Sequence, residues 1–93
     1  MPSKKEYNQI ARKAIGKALV IKRKERNLTQ VDVVNRLGYS RPTIDSMEKG
    51  TAPYLLDQLL DYCRLVGVHL ELGMRDETNN NFTMLGEQPP SPN

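Results

Sequence analysis

The chain has 93 residues, enough for one domain with a modest core but too few to enclose a large enzymatic cleft. No apolar run approaches the ~20 residues that span a membrane, and no signal-peptide pattern stands at the start, so we expect a cytoplasmic protein with no membrane partner. The single cysteine, Cys63, cannot form an internal disulfide, which agrees with a reducing compartment.

The formal net charge is only +3, but it is unevenly distributed along the chain. Residues 1–26 carry nine Lys or Arg against two Glu, a net +7; residues 27–50 carry three of each sign; residues 51–93 carry two Arg against six acidic residues, a net −4. A basic front and an acidic rear favour a polyanion on one side and a different partner on the other. Solvated surface helices can produce the same pattern, so the charge distribution alone does not decide whether the protein binds a polyanion.

A flexible basic arm is expected over residues 1–5, followed by a helical domain over residues 6–67. The first helix is predicted over residues 6–26. Its cationic last turn suits the negative end of a helix, and Asn27 suits a left-handed stop. The apolar stripe of this helix comprises Tyr7, Ile10, Ala11, Ala14, Ile15, Ala18, Leu19 and Ile21.

The middle of the chain predicts two short helices joined by a tight turn. Thr29, with Asp32 three residues later, forms a capping-box pattern for the first helix. Gly38 suits the left-handed backbone of a helix stop. Ser40 can cap the second helix, and Pro42 fits its first turn, where the backbone N–H has no helical partner.

The apolar faces of these two helices point toward each other. Val33, Val34 and Leu37 share one face of the first helix, and Ile44 and Met47 share one face of the second. The sharp connection leaves the second helix protruding, which is the geometry of a helix-turn-helix whose second helix enters the DNA major groove. The side chains left off the apolar side are Arg41, Thr43, Asp45, Ser46 and Lys49.

A fourth helix is predicted over about residues 54–66, with Pro53 at its start. Cys63 lies on its apolar side and is interpreted as a small buried hydrophobe. A metal site would need partners, and His69 is the only histidine of the chain, so no metal and no cofactor are predicted. No nucleophile–base set and no phosphate loop is present in the sequence, so we expect no enzymatic activity.

The hydrophobic period changes from helical to two over residues 68–74, which predicts a half-buried β-strand. Its apolar side is expected to lie on the helical domain. A lone strand leaves its backbone hydrogen bonds unmet, so we predict that it pairs with its copy from a second chain. The alternative is that residues 82–85 fold back onto it, although the intervening loop has no tight-turn signal. The apolar residues of the strand are Val68, Leu70, Leu72 and Met74.

A flexible acidic and polar tail is predicted over residues 75–93. Asp, Glu, Thr, Asn, Gly and Pro dominate it, a composition typical of segments that stay disordered or fold only on binding. Its only apolar anchors are Phe82, Met84 and Leu85.

The two-helix stretch strongly resembles the phage-repressor (Xre/Cro-type) DNA-binding domain. Val34 departs from that family, which usually has a small residue at this helix crossing, and the larger side chain is expected to widen the interhelical angle. The resemblance implies that Arg23 pairs with Glu48 and ties the first helix to the end of the third; such a buried pair fixes geometry more surely than it adds stability. The positions that carry the resemblance are Gln30, Val34, Gly38, Ile44, Glu48 and Gly50.

The order of elements is also similar to the antitoxin subunit of HipBA-type toxin–antitoxin pairs, over residues 7–75. This resemblance implies an all-α fold, a four-helix phage-repressor-like helix-turn-helix domain with a C-terminal β-strand, residues 68–74, pairing across a dimer. It implies a homodimer in the bacterial cytoplasm that binds double-stranded DNA at an inverted-repeat operator, represses its own operon and holds a HipA-like kinase toxin.

The resemblance also implies which side chains contact DNA. Arg41 can donate two hydrogen bonds to a guanine edge, whereas Pro42 can make only apolar contact, for instance with a thymine methyl group. The predicted base-reading residues are Arg41, Pro42, Thr43 and Ser46. The predicted phosphate contacts are Gln30, Ser40, Lys49 and Lys17.

Two other functions remain open from the sequence. The chain can be a stand-alone phage or plasmid repressor, or a restriction–modification control protein, with the same DNA chemistry and no toxin. It can also be a protein-binding module without DNA contact, although the basic residues near the motif disfavour that class. A toxin gene beside this one would separate an antitoxin from a stand-alone repressor.

Overall fold

The computed structural model describes residues 3–85, which form four α-helices followed by a two-stranded antiparallel sheet. The chain is therefore mostly helical, as the sequence predicts. None of the helices in this range is long and apolar enough to cross a membrane. The elements are α1 (Lys4–Glu25), α2 (Gln30–Leu37), α3 (Arg41–Lys49), α4 (Leu56–Leu65), β1 (Leu72–Arg75) and β2 (Phe82–Leu85).

Helix α1 begins two residues earlier than predicted. The Ser3 hydroxyl accepts a hydrogen bond from the backbone N–H of Glu6 at 3.2 Å, so Ser3 caps the helix and the expected arm is partly helical. At the other end, Asn27 has a left-handed backbone with φ of 57°, which confirms the predicted stop.

Local capping signals fix both ends of α2 and α3 as the sequence predicts. The Thr29 hydroxyl accepts from the Asp32 N–H, and the Asp32 carboxylate accepts from the Thr29 N–H, so the capping box is complete. Ser40 caps α3 through a backbone N–H of its first turn. Gly38 and Gly50 end the two helices with φ of 76° and 70°, a conformation that side chains with a Cβ rarely adopt.

Helix α4 begins at Leu56, two residues later than predicted. Leu55 precedes it and has no side-chain acceptor, so the cap is made from the other direction: the Gln58 side chain accepts from the Leu55 N–H at 2.8 Å. Pro53 lies in the exposed connection before this cap.

One hydrophobic core lies where the four helices meet. Cys63 is among its members, and burial raises the pKa of its thiol. From the predicted stripe of α1 only Leu19 is fully buried, and Tyr7, Ile10 and Ile21 remain 54%, 60% and 55% exposed. The core residues are Leu19, Val33, Ile44, Met47, Leu59, Tyr62, Cys63 and Val66.

The backbones of α1 and α3 approach each other closely at two glycines. A Cβ built on Gly16 would lie 2.2 Å from the carbonyl oxygen of Glu48. A Cβ built on Gly50 would lie 2.5 Å from the backbone nitrogen of Lys13. Glycine has a hydrogen atom where other residues have a Cβ, and for that reason the two helices can cross this closely. Val34 at the neighbouring crossing is half-buried and packs against the core.

The predicted strand over residues 68–74 is shorter in the structure and begins at Leu72. Val68 and Leu70 precede it and pack against the helical core, as their apolar character predicts. The expectation that the whole apolar side of the strand lies on the helical domain is wrong for Leu72 and Met74. These two side chains are 40% and 57% exposed.

Strand β1 pairs with β2 of the same chain, so the fold-back segment satisfies one edge of the strand, as the alternative predicted. The register places Leu72 opposite Leu85 and Arg75 opposite Phe82. The loop between the strands is organised by Asp76, whose carboxylate accepts from the Thr78 N–H at 2.7 Å. This side-chain-organised turn is longer than a two-residue hairpin, which explains why no tight-turn signal was visible.

The predicted flexible tail over residues 75–93 therefore contains a strand. Arg75 lies over the Phe82 ring at 5.4 Å from its centroid, a cation–π contact that links the two strands. Gly73 makes room for the same ring, because a Cβ there would lie 2.1 Å from the tip of Phe82. The remainder of the predicted tail, residues 86–93, lies outside the described part of the chain.

Candidate nucleic-acid interface

Helix α3 presents a polar surface on the side away from the core. Ile44 and Met47 are buried at 0% and 1% exposure and hold the helix against the domain. Among the four predicted base-reading residues, the first two along α3 are exposed and the other two are half-buried. The exposed ones are Arg41 and Pro42, and the half-buried ones are Thr43 and Ser46.

Short polar contacts hold the half-buried hydroxyls of this surface. The Thr43 hydroxyl lies 2.8 Å from that of Ser40, and the Ser46 hydroxyl lies 3.1 Å from that of Thr51. Pro42 offers no backbone donor and no polar side-chain atom. Arg41 is therefore the strongest hydrogen-bond donor at the start of α3.

The structure brings Arg23 and Glu48 together in a bidentate ion pair beneath α3. Arg23 donates from Nε to one Glu48 carboxylate oxygen at 2.9 Å and from its terminal nitrogen to the other at 3.2 Å. A third donation reaches the Leu28 carbonyl oxygen at 2.9 Å. The side chains of Arg23 and Glu48 are only 12% and 6% exposed, so α1 is tied to the last turn of α3 inside the protein.

Tyr62 of α4 completes this buried group. Its hydroxyl donates to Glu48 at 2.5 Å, and the residue has 0% exposure. Burial raises the pKa of Tyr62 above its usual value, and the bond to the Glu48 carboxylate raises it further. Burial alone would lower the pKa of Arg23, but the hydrogen bond and charge of Glu48 outweigh it and the pKa is raised.

Tyr62 was not singled out from the sequence. A signal was available in the chemistry, because a buried tyrosine hydroxyl normally has a hydrogen-bond partner. The partner, however, comes from a different helix fourteen residues earlier and is visible only in three dimensions.

Gln30 joins the buried ion pair to the exposed side of α3. Its amide nitrogen donates to Glu48 at 3.3 Å and to Asp45 at 3.2 Å, while its carbonyl oxygen accepts from the Arg41 Nε at 3.3 Å. Asp45 in turn pairs with Lys49 at 3.0 Å. The predicted phosphate contact Gln30 is thus engaged with protein groups on both of its polar atoms.

The other predicted phosphate contacts lie at separate places around α3. Ser40 is at its N-terminus, where the hydroxyl serves as the helix cap. Lys49 is exposed at its C-terminal end. Lys17 is exposed on α1, one residue after the glycine that contacts Glu48. Lys13 is exposed one turn before Lys17 and was not singled out, although the spacing of four places both on one side of α1.

The predicted dimer residues divide into two groups. Val68 and Leu70 are half-buried against the helices, whereas Leu72 and Met74 are exposed on one face of the hairpin. Phe82, which is 53% exposed, lies on the other face with Arg75. A two-stranded hairpin also has two outer edges that its own pairing does not satisfy.

Residues 3–85 contain no group of three or more His, Cys, Asp or Glu side chains that could hold a metal ion. Compared with protein-family models, with curated proteins and with solved structures, the chain matched none of them.

Proposed function

We propose that this protein is a sequence-specific, dimeric DNA-binding transcriptional repressor in which α2 and α3 form a helix-turn-helix. One observation carries the proposal: α3 presents Arg41 on an exposed polar side while its buried side is fixed by the Arg23–Glu48 pair. A helix held this rigidly at the surface can enter the major groove without a large loss of conformational freedom.

The first turn of α3 reads base edges. Arg41 donates to a guanine, and its Nε contact with Gln30 limits the directions in which the guanidinium can point. Pro42 makes apolar contact, and the Thr43 and Ser46 hydroxyls lie further along the same helix. Phosphates are bound by the flanking groups Ser40, Lys49 and Lys17. Gln30 donates its amide hydrogens to Asp45 and Glu48, so it positions Arg41 and does not bind a phosphate.

Dimerisation places two α3 helices on successive turns of DNA. The C-terminal hairpin supports this step, because an isolated two-stranded hairpin is marginally stable in water and this one leaves Leu72, Met74 and Phe82 exposed. Two-fold symmetry sets the half-sites roughly 34 Å apart, so the operator is an inverted repeat.

We further propose that the protein is the antitoxin of a toxin–antitoxin pair and binds a HipA-like kinase. The support is the resemblance in element order, together with the net −4 of residues 51–93 against the net +7 of residues 1–26. This charge separation allows DNA and a second protein to bind different sides at once.

The experiment that tests the proposal is selection of bound duplexes from a randomised DNA library, followed by gel-shift titration of the enriched sequence. We expect an inverted repeat bound far more tightly than unrelated duplex. Absence of any enriched motif would favour a protein-binding module instead. Co-purification of the product of a neighbouring gene would distinguish an antitoxin from a stand-alone repressor or control protein.

A further inference from the structure

A carboxylate stands in the middle of the exposed side of α3. Arg41, Asp45 and Lys49 are separated by four residues each, so they form one row along the helix. The Asp45 side chain is 41% exposed. A negative charge between two cations is unexpected on a surface that meets a polyanion, because it repels every phosphate that approaches.

One hydrogen bond and one ion pair fix the direction of this carboxylate. One oxygen accepts from the Gln30 amide at 3.2 Å, and the other lies 3.0 Å from the Lys49 ammonium nitrogen. These two contacts, that of Lys49 first, hold the pKa of Asp45 below its usual value, so the group is ionised at neutral pH. Arg41 also contacts Gln30, so one amide side chain aligns both Arg41 and Asp45.

The other acidic residues of α2 and α3 have structural tasks that Asp45 lacks. Asp32 completes the cap of α2, and Glu48 is the buried partner of Arg23. The Asp45–Lys49 contact is an exposed ion pair within one helix, a class of contact that contributes little to stability. Folding therefore gives little reason for an acid at this position.

We propose that Asp45 is a specificity-determining residue that accepts a hydrogen bond from the N4 amino group of a cytosine. This inference rests on the proposed DNA-binding function and assigns a further base contact within it. Lys49 turns to a phosphate when DNA binds and leaves one Asp45 oxygen free, while Gln30 keeps the carboxylate beside Arg41. A carboxylate can only accept, so it pairs with the cytosine amino group and is repelled by the thymine O4 and guanine O6 oxygens. Adenine also has an amino group, but the N7 acceptor beside it repels the second carboxylate oxygen.

The test compares DNA selected from a randomised library by three forms of the full chain: wild type, Asp45→Asn and Asp57→Asn. Asp57→Asn is the matched control, because it makes the same change of charge and shape at an exposed position of α4. Circular dichroism melts of all three forms establish that each is folded. Gel-shift titrations then measure each form on the wild-type motif and on single-base variants of it.

Wild type and Asp57→Asn are expected to prefer cytosine by about tenfold at one pair of each half-site, the size of a good base contact. Asp45→Asn should lose that preference and favour adenine there, because an amide can pair with the adenine edge. If Asp45→Asn selects the unchanged motif and binds all sequences more tightly, the carboxylate only repels phosphate and the inference is wrong. If wild type selects no motif, it is the proposed function that fails.

Discussion

Gly16 of α1 and Glu48 of α3 lie backbone against backbone, and a Cβ on Gly16 would come within 2.2 Å of the Glu48 carbonyl oxygen. The carboxylate of Glu48 accepts a hydrogen bond from Arg23, two turns further along α1. One residue of α3 is thus positioned by α1 twice, through its main chain and through its carboxylate.

Gly16→Ala is expected to destabilise the protein even though alanine is the better helix former. The gain in helix propensity is about 1 kcal/mol, whereas forcing a Cβ into the Glu48 backbone requires the helices to separate at a cost of about 1–3 kcal/mol or more. Urea unfolding followed by circular dichroism measures the balance. A variant more stable than the parent would show that the helices do not approach as closely as described.

Arg23→Ala and Glu48→Ala should each lower the free energy of unfolding by about 3–5 kcal/mol, because either change leaves a buried charge without its partner. Lys22→Ala is the matched control, since its pair with Glu25 is exposed, with 45% and 56% of the side chains accessible. If the melting temperature of Arg23→Ala is close to that of the control and not far below it, the pair is not buried as described.

Ionisation of the Tyr62 hydroxyl should lower the free energy of unfolding at alkaline pH. Because its pKa is raised in the folded state, the native protein holds this proton more tightly than the unfolded chain does. The contribution is fully present below the unfolded pKa of about 10 and is lost as the pH rises above it. Tyr62→Phe should therefore show a shallower alkaline loss in urea unfolding than the parent, while Tyr7→Phe, changed at an exposed site, should follow the parent.

Arg41→Ala and Lys49→Ala should weaken DNA binding in different ways. Loss of Arg41 should cost about 1–3 kcal/mol and relax the preference at one base pair of each half-site. Loss of Lys49 should weaken all sequences alike and reduce the slope of log affinity against log salt by about 0.9. Gel shifts at several salt concentrations separate the two effects, and unchanged operator binding by Arg41→Ala would place α3 outside the groove.

Leu72→Ser with Met74→Ser should convert a dimer to a monomer in light scattering while the helical domain stays folded. Both side chains are exposed on the hairpin, so their replacement removes apolar contact area only if a second copy covers them. Val31→Ser, at a 45% exposed position of α2, serves as the control. A double variant that remains a dimer at micromolar concentration would place the interface elsewhere.

Local signals in the sequence predicted the helical elements well, because capping and helix stopping depend on neighbours within a few residues. Thr29, Ser40 and Gly38 act as their residue types predict. The sequence was less informative where distant segments meet. Gly16 appeared as an ordinary position in a long helix, since the backbone that excludes a side chain there belongs to residue 48.

The position of strand β1 differs from the prediction for a second physical reason. Alternation predicted a strand near residue 70, but the alternation began at Val68 whereas the ladder begins at Leu72. Periodicity reports which side chains face apolar surroundings, and Val68 and Leu70 meet that requirement by packing on the helices without strand pairing. The choice of partner strand depends on backbone pairing, which no side-chain pattern specifies.

The chain of contacts from Tyr62 through Glu48 and Gln30 to Arg41 also constrains how the protein can evolve. Each link is a hydrogen bond between side chains of different helices, so most single replacements leave a polar atom of a neighbour unpaired. Drift at these four positions is therefore expected to be concerted, with a change at Tyr62 of α4 compensated at Glu48 of α3. A lineage that acquires a new DNA target can change Pro42 freely, but a change at Arg41 alters the partner of Gln30 and with it the interior.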